Sequence, residues 1–159
     1  MNIINEQIKY TDNFLPQNLI DSIYNKALSS QWRKGQSNDE ENDSWFWHLN
    51  IDDSEEAKNL DKIIDNQVTR IYINGQTYSQ HGDFHQDDGD ETYLIGLNKD
   101  WTVKSGGATE LLLENNTSLC IYPLYNRAII FNSKIFHRAL PNIHINDFRM
   151  TLAIKTRRR

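Results

Sequence analysis

Apolar residues recur at helical spacing in two segments near the start of the chain. The first segment follows Pro16, a residue type that favours the first turn of a helix, and its apolar face consists of Leu19, Ile20, Ile23 and Ala27. This spacing predicts an amphipathic helix over residues 16–30. A second helix is predicted over residues 53–66, where Asp53 or Ser54 would cap the first turn. The apolar face of this second helix consists of Leu60, Ile63 and Ile64.

The pattern changes after Gln67, where short segments rich in β-branched and aromatic residues replace the helical spacing. Turn-forming pairs such as Asn74-Gly75 and Gly106-Gly107 separate these segments. Strands are predicted at 68–74, 92–97, 109–113, 119–122, 127–131, 135–139 and 149–155. Seven or eight closely spaced strands without intervening helices indicate an antiparallel sandwich or jelly roll. The predicted fold is therefore mainly β, with N-terminal helices.

The composition agrees with one globular domain and argues against several classes of protein. The 159 residues, 38% of them apolar and 25% charged, suffice for one sizeable core. A net charge of −5 gives no general basic surface for nucleic acid, and we interpret the basic ending at 157–159 as a solvated terminus. The N-terminus lacks the layout of a signal peptide and no apolar run approaches the length of a membrane span, so the cytoplasm is the expected location. The single cysteine, Cys120, lies in an apolar run and is expected in the core.

The stretch HGDFHQDD combines two histidines with three aspartates. It contains the pattern His-x-Asp twice, as His81 with Asp83 and as His85 with Asp87. Residues i and i+2 of a strand point to the same side, so both side chains of such a pair can reach one ion. Two histidines and one carboxylate leave open positions on an octahedral metal, an arrangement that suits non-haem Fe(II). The second histidine must then come from a neighbouring strand, and His137 is the downstream histidine that lies inside a clear strand pattern.

Two other interpretations of the stretch stay open at this point. His81 and His85 have the i, i+4 spacing of a zinc pair on a helix, although Gly82 and the surrounding turn residues disfavour a helix. The aspartates could instead form a solvated acidic turn, and His137 alone could be a hydrogen-bonded, partly buried histidine.

An arginine follows these residues at the start of the last predicted strand. Arg149 would lie inside a barrel, where an unpaired charge is very costly. Because a guanidinium binds a carboxylate through two parallel hydrogen bonds, Arg149 is a candidate for holding an anionic ligand. The alternative is an ion pair with one of the acidic residues of the chain.

The order of these residues resembles that in a known family. Residues 68–155 are similar to the Fe(II)- and 2-oxoglutarate-dependent oxygenases, in the prolyl 4-hydroxylase-like branch found in bacteria and phages. The motifs that carry the resemblance are HGDFHQD, LIGLNKDWTVKSGGATEL, NRAIIFNSKIFHRALPN and RMTLAIK. The resemblance implies a double-stranded β-helix, or jelly roll, as the core. It also implies one dioxygenase domain over 1–159, with a helical part over 1–66 and the jelly-roll core over 67–157.

The resemblance also implies which residues act. The metal motif of the family falls on His85 and Asp87, and His137 supplies the distal histidine. His81 would then lie on the approach loop, outside the ligand shell of the metal. Arg149 matches the residue that binds the far carboxylate of 2-oxoglutarate, and Thr151, on the same side of the strand, could add a hydroxyl.

One position departs from the pattern of the family. Relatives often place a tyrosine just before the Leu-Asn pair, where it helps to hold the far carboxylate of the cosubstrate, but this chain has Gly96 there. Tyr93 points to the other face in a regular strand. Either the pocket is wider, or another hydroxyl substitutes, with Tyr72, Tyr78 and Thr92 as the candidates.

By resemblance, the protein is a dioxygenase that uses Fe(II), 2-oxoglutarate and O2, with ascorbate as a reductant. It would hydroxylate its substrate and release succinate and CO2. Asp87 favours hydroxylation, because halogenating relatives leave that ligand position free for a halide. The rival hypotheses are a non-catalytic jelly-roll binding module and a zinc or cupin-type enzyme, and the His-x-His pattern of cupins is absent.

The expected substrate is a prolyl residue of a peptide or protein, or else a small molecule, bound by the loops around 34–50 and 76–91. Trp45, Trp47 and His81 are candidates for the substrate side, although aromatic residues before a sandwich often serve packing. Acidic residues in these loops favour a basic substrate and disfavour polynucleotide. They are Asp39, Glu40, Glu41, Asp43, Asp83, Asp88, Asp90 and Glu91.

Overall fold

The computed structural model describes residues 1–35 and 45–159, which form two sheets and two helices. The large sheet consists of β1 (Asn2–Asn5), β2 (Ile8–Thr11), β3 (Arg33–Lys34), β4 (Trp47–Asn50), β5 (Gln67–Gln76), β6 (Glu91–Gly96), β9 (Ala128–Asn132) and β11 (Arg149–Arg157). The small sheet consists of β7 (Thr109–Leu112), β8 (Ser118–Ile121) and β10 (His137–Ala139). The helices are α1 (Gln17–Ser29) and α2 (Glu55–Ile63).

The two sheets face each other across an apolar interior. The strand order is β1-β2-β9-β6-β11-β5-β4-β3 in the large sheet and β10-β7-β8 in the small sheet, and every paired strand is antiparallel to its neighbour. Side chains from both sheets form one cluster, which contains Ile8, Leu111, Ile121, Ile129 and Phe131. This topology is consistent with a jelly-roll core.

The helices cover the opposite face of the large sheet. Side chains of α1 and α2 pack there against alternate residues of the central strands, including Ile71, Ile73, Ile95, Leu152 and Ile154. Because both of its faces are covered, β11 buries eight of its nine residues. Even-numbered residues of β11 therefore face the helices, and odd-numbered residues face the small sheet.

Both helices are shorter than the sequence predicts. α1 buries the four residues expected from the pattern, which are Leu19, Ile20, Ile23 and Ala27. In α2, the Ser54 hydroxyl caps the first turn by accepting a hydrogen bond of 3.1 Å from the N–H of Ala57. The helix ends at Ile63, which is exposed, whereas Ile64 is buried in extended backbone. The prediction that Ile63 shares the apolar face is therefore wrong.

The first 66 residues contain strands as well as helices, which the sequence analysis did not predict. β1 and β2 form a hairpin at one edge of the large sheet, and β2 pairs with β9. β3 and β4 extend the other edge next to β5. These strands have two to four residues, and β1 is exposed throughout, so no alternation of apolar and polar residues marks them.

The seven strands predicted after Gln67 correspond to β5–β11. Cys120 is an exception to the predicted core, because it is exposed on β8, the edge strand of the small sheet, while its neighbour Ile121 points inward. None of the described helices is long and apolar enough to cross a membrane. The predicted polar loop at 35–44 lies, apart from Gly35, outside the described residues.

Candidate functional site

Three side chains with metal-binding atoms converge between the two sheets. His85 lies opposite His137 at the start of β10, and the two backbones exchange hydrogen bonds of 3.1 and 3.0 Å. Asp87 follows on the same strand segment, where its N–H donates to the carbonyl of Ser133 at 2.9 Å. One ligand atom from each of the three side chains lies within 4.8 Å of the other two. His81 is exposed and outside this group, so the second His-x-Asp pair meets His137.

Backbone carbonyls orient both imidazole rings. The Nδ1 of His85 lies 2.9 Å from the carbonyl oxygen of Asp83, and the Nδ1 of His137 lies 2.9 Å from that of Ile135. A ring whose Nδ1–H donates to a carbonyl presents an unprotonated Nε2 to a metal. The two Nε2 atoms lie 3.8 and 3.2 Å from the carboxylate oxygens of Asp87. This donor set fits a divalent ion of the Fe(II) type, with the remaining coordination positions open.

The carboxylate of Asp87 is held by several neighbours. The Thr92 hydroxyl donates a 2.8 Å hydrogen bond to Oδ2, and the Nζ of Lys155 donates to the same oxygen. Burial raises the pKa of the Asp87 carboxyl, but the contact with His137 and the charge of Lys155 outweigh burial and hold the pKa well below its usual range. Asp87 is therefore ionised at neutral pH, as a metal ligand must be.

Burial also acts on the first histidine. The pKa of His85 is lowered, first by burial and then by the proximity of His137. Because a metal ligand must be a neutral imidazole, this shift keeps His85 in the ligand form at neutral pH.

Arg149 begins β11 and is buried in the same cavity, with an exposed fraction of 4%. Its Nε donates to the carbonyl of Gly107 at 2.7 Å and its Nη2 to the Thr109 hydroxyl at 3.4 Å. Gly107 has a φ of +66°, and a Cβ there would lie 2.8 Å from the Cδ of Arg149, so this position requires glycine. Burial lowers the pKa of Arg149 to about 10, which leaves the guanidinium charged at neutral pH.

The charge of Arg149 has no carboxylate partner within residues 1–35 and 45–159. A buried cation without a counter-ion is very costly. The sequence left open that Arg149 forms an ion pair with an acidic residue of the chain. The described residues contain no such pair, so the guanidinium can bind an anionic ligand.

Thr151 adds a second unpaired polar group to the same cavity. It lies two residues after Arg149 on β11 and faces the same side of the sheet. Its hydroxyl is buried and has no hydrogen-bond partner among the residues described. An unsatisfied buried hydroxyl costs about 1–3 kcal/mol, so a ligand that bonds to it gains that amount.

Gly96, the position at which relatives often have a tyrosine, lies opposite Thr151 on β6. The chain crosses over Gly96 at Pro123 and Leu124, and both carbonyl oxygens would clash with any Cβ there. A 2.9 Å hydrogen bond from the N–H of Asn126 to the carbonyl of Gly96 fixes this crossing. Backbone therefore fills the space above Gly96, so the pocket is not widened by the missing side chain.

Only one of the two tyrosines proposed as a substitute lies near these groups. Tyr72 lines the cavity of about 620 Å³ that also contains Arg149 and the three metal-binding candidates. Tyr78 is 48% exposed and belongs to a separate surface depression beside Ile143. The prediction for Tyr78 is thus not supported, because the chain turns away from the cavity after β5.

The three residues predicted on the substrate side do not line the cavity. Trp45 and Trp47 pack against each other edge to face, with ring centroids 5.1 Å apart. Their neighbours Phe46 and His48 line the cavity instead, because side chains alternate between the two faces of the extended chain around the start of β4. His81 lies outside the lining as well, although Gly82 and Asp83 belong to it.

Several cavity residues were not identified from the sequence. The most prominent are Thr109, which contacts Arg149, and Lys155, which contacts Asp87. Lys155 lies six residues after Arg149, so the period of two along a strand could have placed both on one face. The position of Arg70 opposite Lys155 depends on the register between β5 and β11, which the sequence pattern does not reveal.

The fold is similar to those of known enzymes. A prolyl-4-hydroxylase from Pseudomonas putida superposes with a TM-score of 0.78 at 15% identity, over 96% of this chain and 93% of that one. A prolyl hydroxylase from Trichoplax adhaerens, in complex with a hypoxia inducible factor peptide fragment, gives a TM-score of 0.77 at 17% identity, over 97% and 84% of the chains. A 2OG-Fe(II) oxygenase family oxidoreductase from Burkholderia pseudomallei gives 0.71 at 11% identity, over 96% and 89%. At these identities the similarity concerns the fold.

No curated protein sequence matches the chain. Residues 67–154, which make up more than half of its length, match the family described as the 2OG-Fe(II) oxygenase superfamily. The matched region begins with β5 and contains His85, Asp87, His137 and Arg149. The chain belongs to the 2OG-Fe(II) oxygenase superfamily.

Proposed function

We propose that the protein hydroxylates its substrate at a metal site formed by His85, Asp87 and His137. The overall reaction consumes O2 and 2-oxoglutarate and yields the hydroxylated substrate, succinate and CO2. The observation that carries the proposal is that one cavity contains both this ligand set and the buried, unpaired guanidinium of Arg149. Fe(II) with 2-oxoglutarate would supply the oxidising chemistry, which no protein side chain provides.

The residues of the chain hold and orient the reactants. His85 and His137 present Nε2 atoms that their Nδ1 contacts keep in place, and Asp87 contributes the negative charge. Arg149 and Thr151 would bind the far carboxylate of 2-oxoglutarate, because they offer a cation and an unsatisfied hydroxyl on one face of β11. The burial of Arg149 keeps water away from this contact and strengthens it.

A prolyl residue of a peptide is the substrate that we propose. The support comes from two of the similar structures, which are prolyl hydroxylases, one of them with a peptide bound. The cavity lining includes the exposed residues Arg33, Lys34 and Arg70, so a peptide could reach the metal-binding candidates from outside. Ascorbate as the reductant that keeps the iron in the Fe(II) state is part of the same proposal.

The test is succinate formation from 2-oxoglutarate with Fe(II) and ascorbate, followed by mass spectrometry of the offered substrates. We expect iron-dependent succinate formation that increases when prolyl peptides are added, and a gain of one oxygen atom on the peptide. Oxygen insertion into free amino acids or nucleobases, with none on prolyl peptides, would contradict the substrate proposal. Absence of succinate under all conditions would contradict the hydroxylase and favour a non-catalytic binding module.

A further inference from the structure

The described lining of the cavity is rich in basic residues, although the chain as a whole is acidic. The chain contains 22 acidic and 17 basic residues. Among the described residues, the cavity lining contains two acidic residues, Asp83 and Asp87, and six basic ones: Arg33, Lys34, Arg70, Arg138, Arg149 and Lys155. A positively charged cavity wall attracts and binds anions, even in a protein whose net charge is negative. The lining thus favours an anionic molecule.

Four of the six cations already have partners or a proposed role. Lys155 donates to Asp87, and the Nε of Arg138 lies 2.7 Å from the carboxylate of Glu110. The ammonium of Lys34 lies 5.0 Å from the ring centroid of Trp45. Arg149 is assigned to the cosubstrate. The two cations that remain, Arg33 and Arg70, form no ion pair with any carboxylate of the described residues.

These two arginines belong to one continuous group on the inner face of the large sheet. The guanidinium of Arg70 lies 4.6 Å from the ring centroid of Tyr72, and that ring lies 5.0 Å from the ring of His48. Arg33 is the strand partner of His48. We call this group, which consists of Arg33, His48, Arg70 and Tyr72, the Arg70 patch.

The Arg70 patch lies beside the metal-binding candidates. Arg70 is the strand partner of Lys155, whose Nζ lies 5.8 Å from the ring centroid of Tyr72 and contacts Asp87. Arg149 begins the same strand six residues earlier, about 20 Å away along an extended backbone. Gly107 and Thr109 hold the guanidinium of Arg149, whereas that of Arg70 lies over the ring of Tyr72, so the two charges are held at different places in the cavity. The Arg70 patch is therefore available to a second ligand.

The chemistry of the patch identifies the group that it would bind. A planar guanidinium matches a carboxylate through two parallel hydrogen bonds. The Tyr72 hydroxyl can donate a further hydrogen bond, whereas the ring of His48 already forms one with the side chain of Asn74. Burial and the charge of Arg70 lower the pKa of His48, which favours the neutral ring. One nearby guanidinium with one neutral hydroxyl donor suits a single carboxylate better than a polyphosphate backbone, while Arg33 adds a second positive charge at the rim.

We propose that the substrate carries a carboxylate that binds to the Arg70 patch and thereby places the adjacent carbon next to the metal-binding site. This inference rests on the proposed hydroxylase function and specifies its substrate class. The carboxylate is either an acidic side chain next to the target residue of a peptide or the free carboxylate of a small molecule. This proposal differs from the expectation of a basic substrate, which rested on acidic loop residues. Of these, Asp88, Asp90 and Glu91 lie outside the cavity lining, Asp83 lies in it, and Asp39, Glu40, Glu41 and Asp43 lie outside the described residues.

The first experiment compares charges on otherwise identical ligands. Fluorescently labelled peptides with one proline, flanked by Asp, Asn or Lys, are bound to protein loaded with Mn²⁺ and 2-oxoglutarate, and anisotropy gives the dissociation constants. Proline and its amide are added as competitors to test the free carboxylate. We expect the Asp peptide to bind on the order of tenfold more tightly than the Asn peptide, with the Lys peptide weakest.

The second experiment assigns this preference to the patch. Arg70→Gln should remove the difference between the Asp and Asn peptides, and Arg70→Lys should restore part of it, because lysine keeps the charge but lacks the fork. Arg158→Gln is the matched control, since Arg158 is exposed and outside the cavity lining, and it should retain the full preference. Arg70 is exposed as well, so its variants should fold.

Three outcomes would overturn the proposal. They are equal binding of the three peptides, tighter binding of the Lys peptide, and an undiminished Asp preference in Arg70→Gln. Displacement of the Asp peptide by a single-stranded oligonucleotide at lower concentration would reassign the patch to a polynucleotide. If proline outcompetes every peptide and loses this advantage as its amide, the carboxylate belongs to a small molecule. Binding is measured without turnover, so a failed hydroxylase assay would leave this result intact.

Discussion

The buried ammonium of Lys155 donates a hydrogen bond to Oδ2 of Asp87, the carboxylate that lies between His85 and His137. Both side chains of this pair are 8% exposed. The pair places a fixed positive charge beside the position of the proposed metal. Lys155 therefore compensates the charge of Asp87 when the metal is absent and opposes the metal when it binds.

Replacing Lys155 by methionine should separate these two effects. Lys155→Met leaves the Asp87 carboxylate without its cation, so the metal-free protein should lose about 3 kcal/mol of unfolding free energy. The same variant should bind Mn²⁺ more tightly than the wild type, because the competing charge is gone. Denaturant unfolding with and without Mn²⁺ measures both changes.

The control is Lys99→Met, which breaks an exposed pair with Asp21 and should alter neither quantity appreciably. Unchanged stability together with weaker metal binding would contradict this account.

Replacing Arg149 should weaken the binding of 2-oxoglutarate. The guanidinium of Arg149 has no carboxylate partner among the described residues, and Arg149→Gln removes its charge. The KM for 2-oxoglutarate should therefore rise by about a hundredfold. Arg149→Lys should recover only part of this loss. Thr151→Val removes one neutral hydrogen bond and should raise the KM about fivefold. Steady-state succinate formation gives these values, and thermal unfolding controls for folding. A KM in Arg149→Gln equal to that of the wild type would remove Arg149 from the site.

Gly96 should tolerate no side chain. Gly96→Ala places a Cβ against the carbonyl oxygens of Pro123 and Leu124, so we expect a loss of ~3 kcal/mol or more of unfolding free energy. Gly96→Tyr, which would introduce the tyrosine common in relatives, should be less stable still. Gly82→Ala is the matched control, because its Cβ would meet only ordinary contacts of 3.4 Å with Phe46. If Gly96→Ala is as stable as Gly82→Ala, this result contradicts the close approach of Pro123 and Leu124 to Gly96.

The pKa of His48 should report on Arg70. Burial first, and then the charge of Arg70, lower the pKa of His48 from its ordinary value. Because the folded-state pKa lies below the unfolded value, the stability that His48 contributes is complete above about pH 6.5. It is lost as the pH falls through the folded-state pKa. NMR titration of the ring should therefore give a low pKa that rises in Arg70→Gln and stays unchanged in Arg158→Gln. An identical His48 pKa in all three proteins would show that the guanidinium of Arg70 is not near the ring.

Much of the candidate metal site can be predicted from the sequence, because its residues are close in sequence or lie within a strand pattern. His85 and Asp87 are two residues apart, so the period of a strand places them together. Their pairing with His137 depends on a long-range bridge that periodicity cannot reveal, and the resemblance to a family supplied it. The choice between His81 and His85 likewise came from that resemblance, since both have an aspartate two residues later.

Features created by long-range register could not be predicted from the sequence. Gly96 is glycine because a segment almost thirty residues later crosses over it. The Arg70 patch combines three strands whose register no local pattern fixes. Trp45 and Trp47 stay predictions for the substrate side, but it is their neighbours Phe46 and His48, around the start of β4, that line the cavity. A shift of one position along a strand exchanges its two faces.

The most direct test of the central claim is equilibrium binding of Fe(II), under anaerobic conditions, to the wild type and to single alanine variants of three histidines. We expect the wild type to bind one ion, and His85→Ala and His137→Ala to lose at least about a hundredfold in affinity, because each removes one ligand from a set of three. His81→Ala should bind iron like the wild type, since His81 is exposed and outside the ligand set. Retained affinity in both His85→Ala and His137→Ala, or loss of iron in His81→Ala alone, would contradict the account.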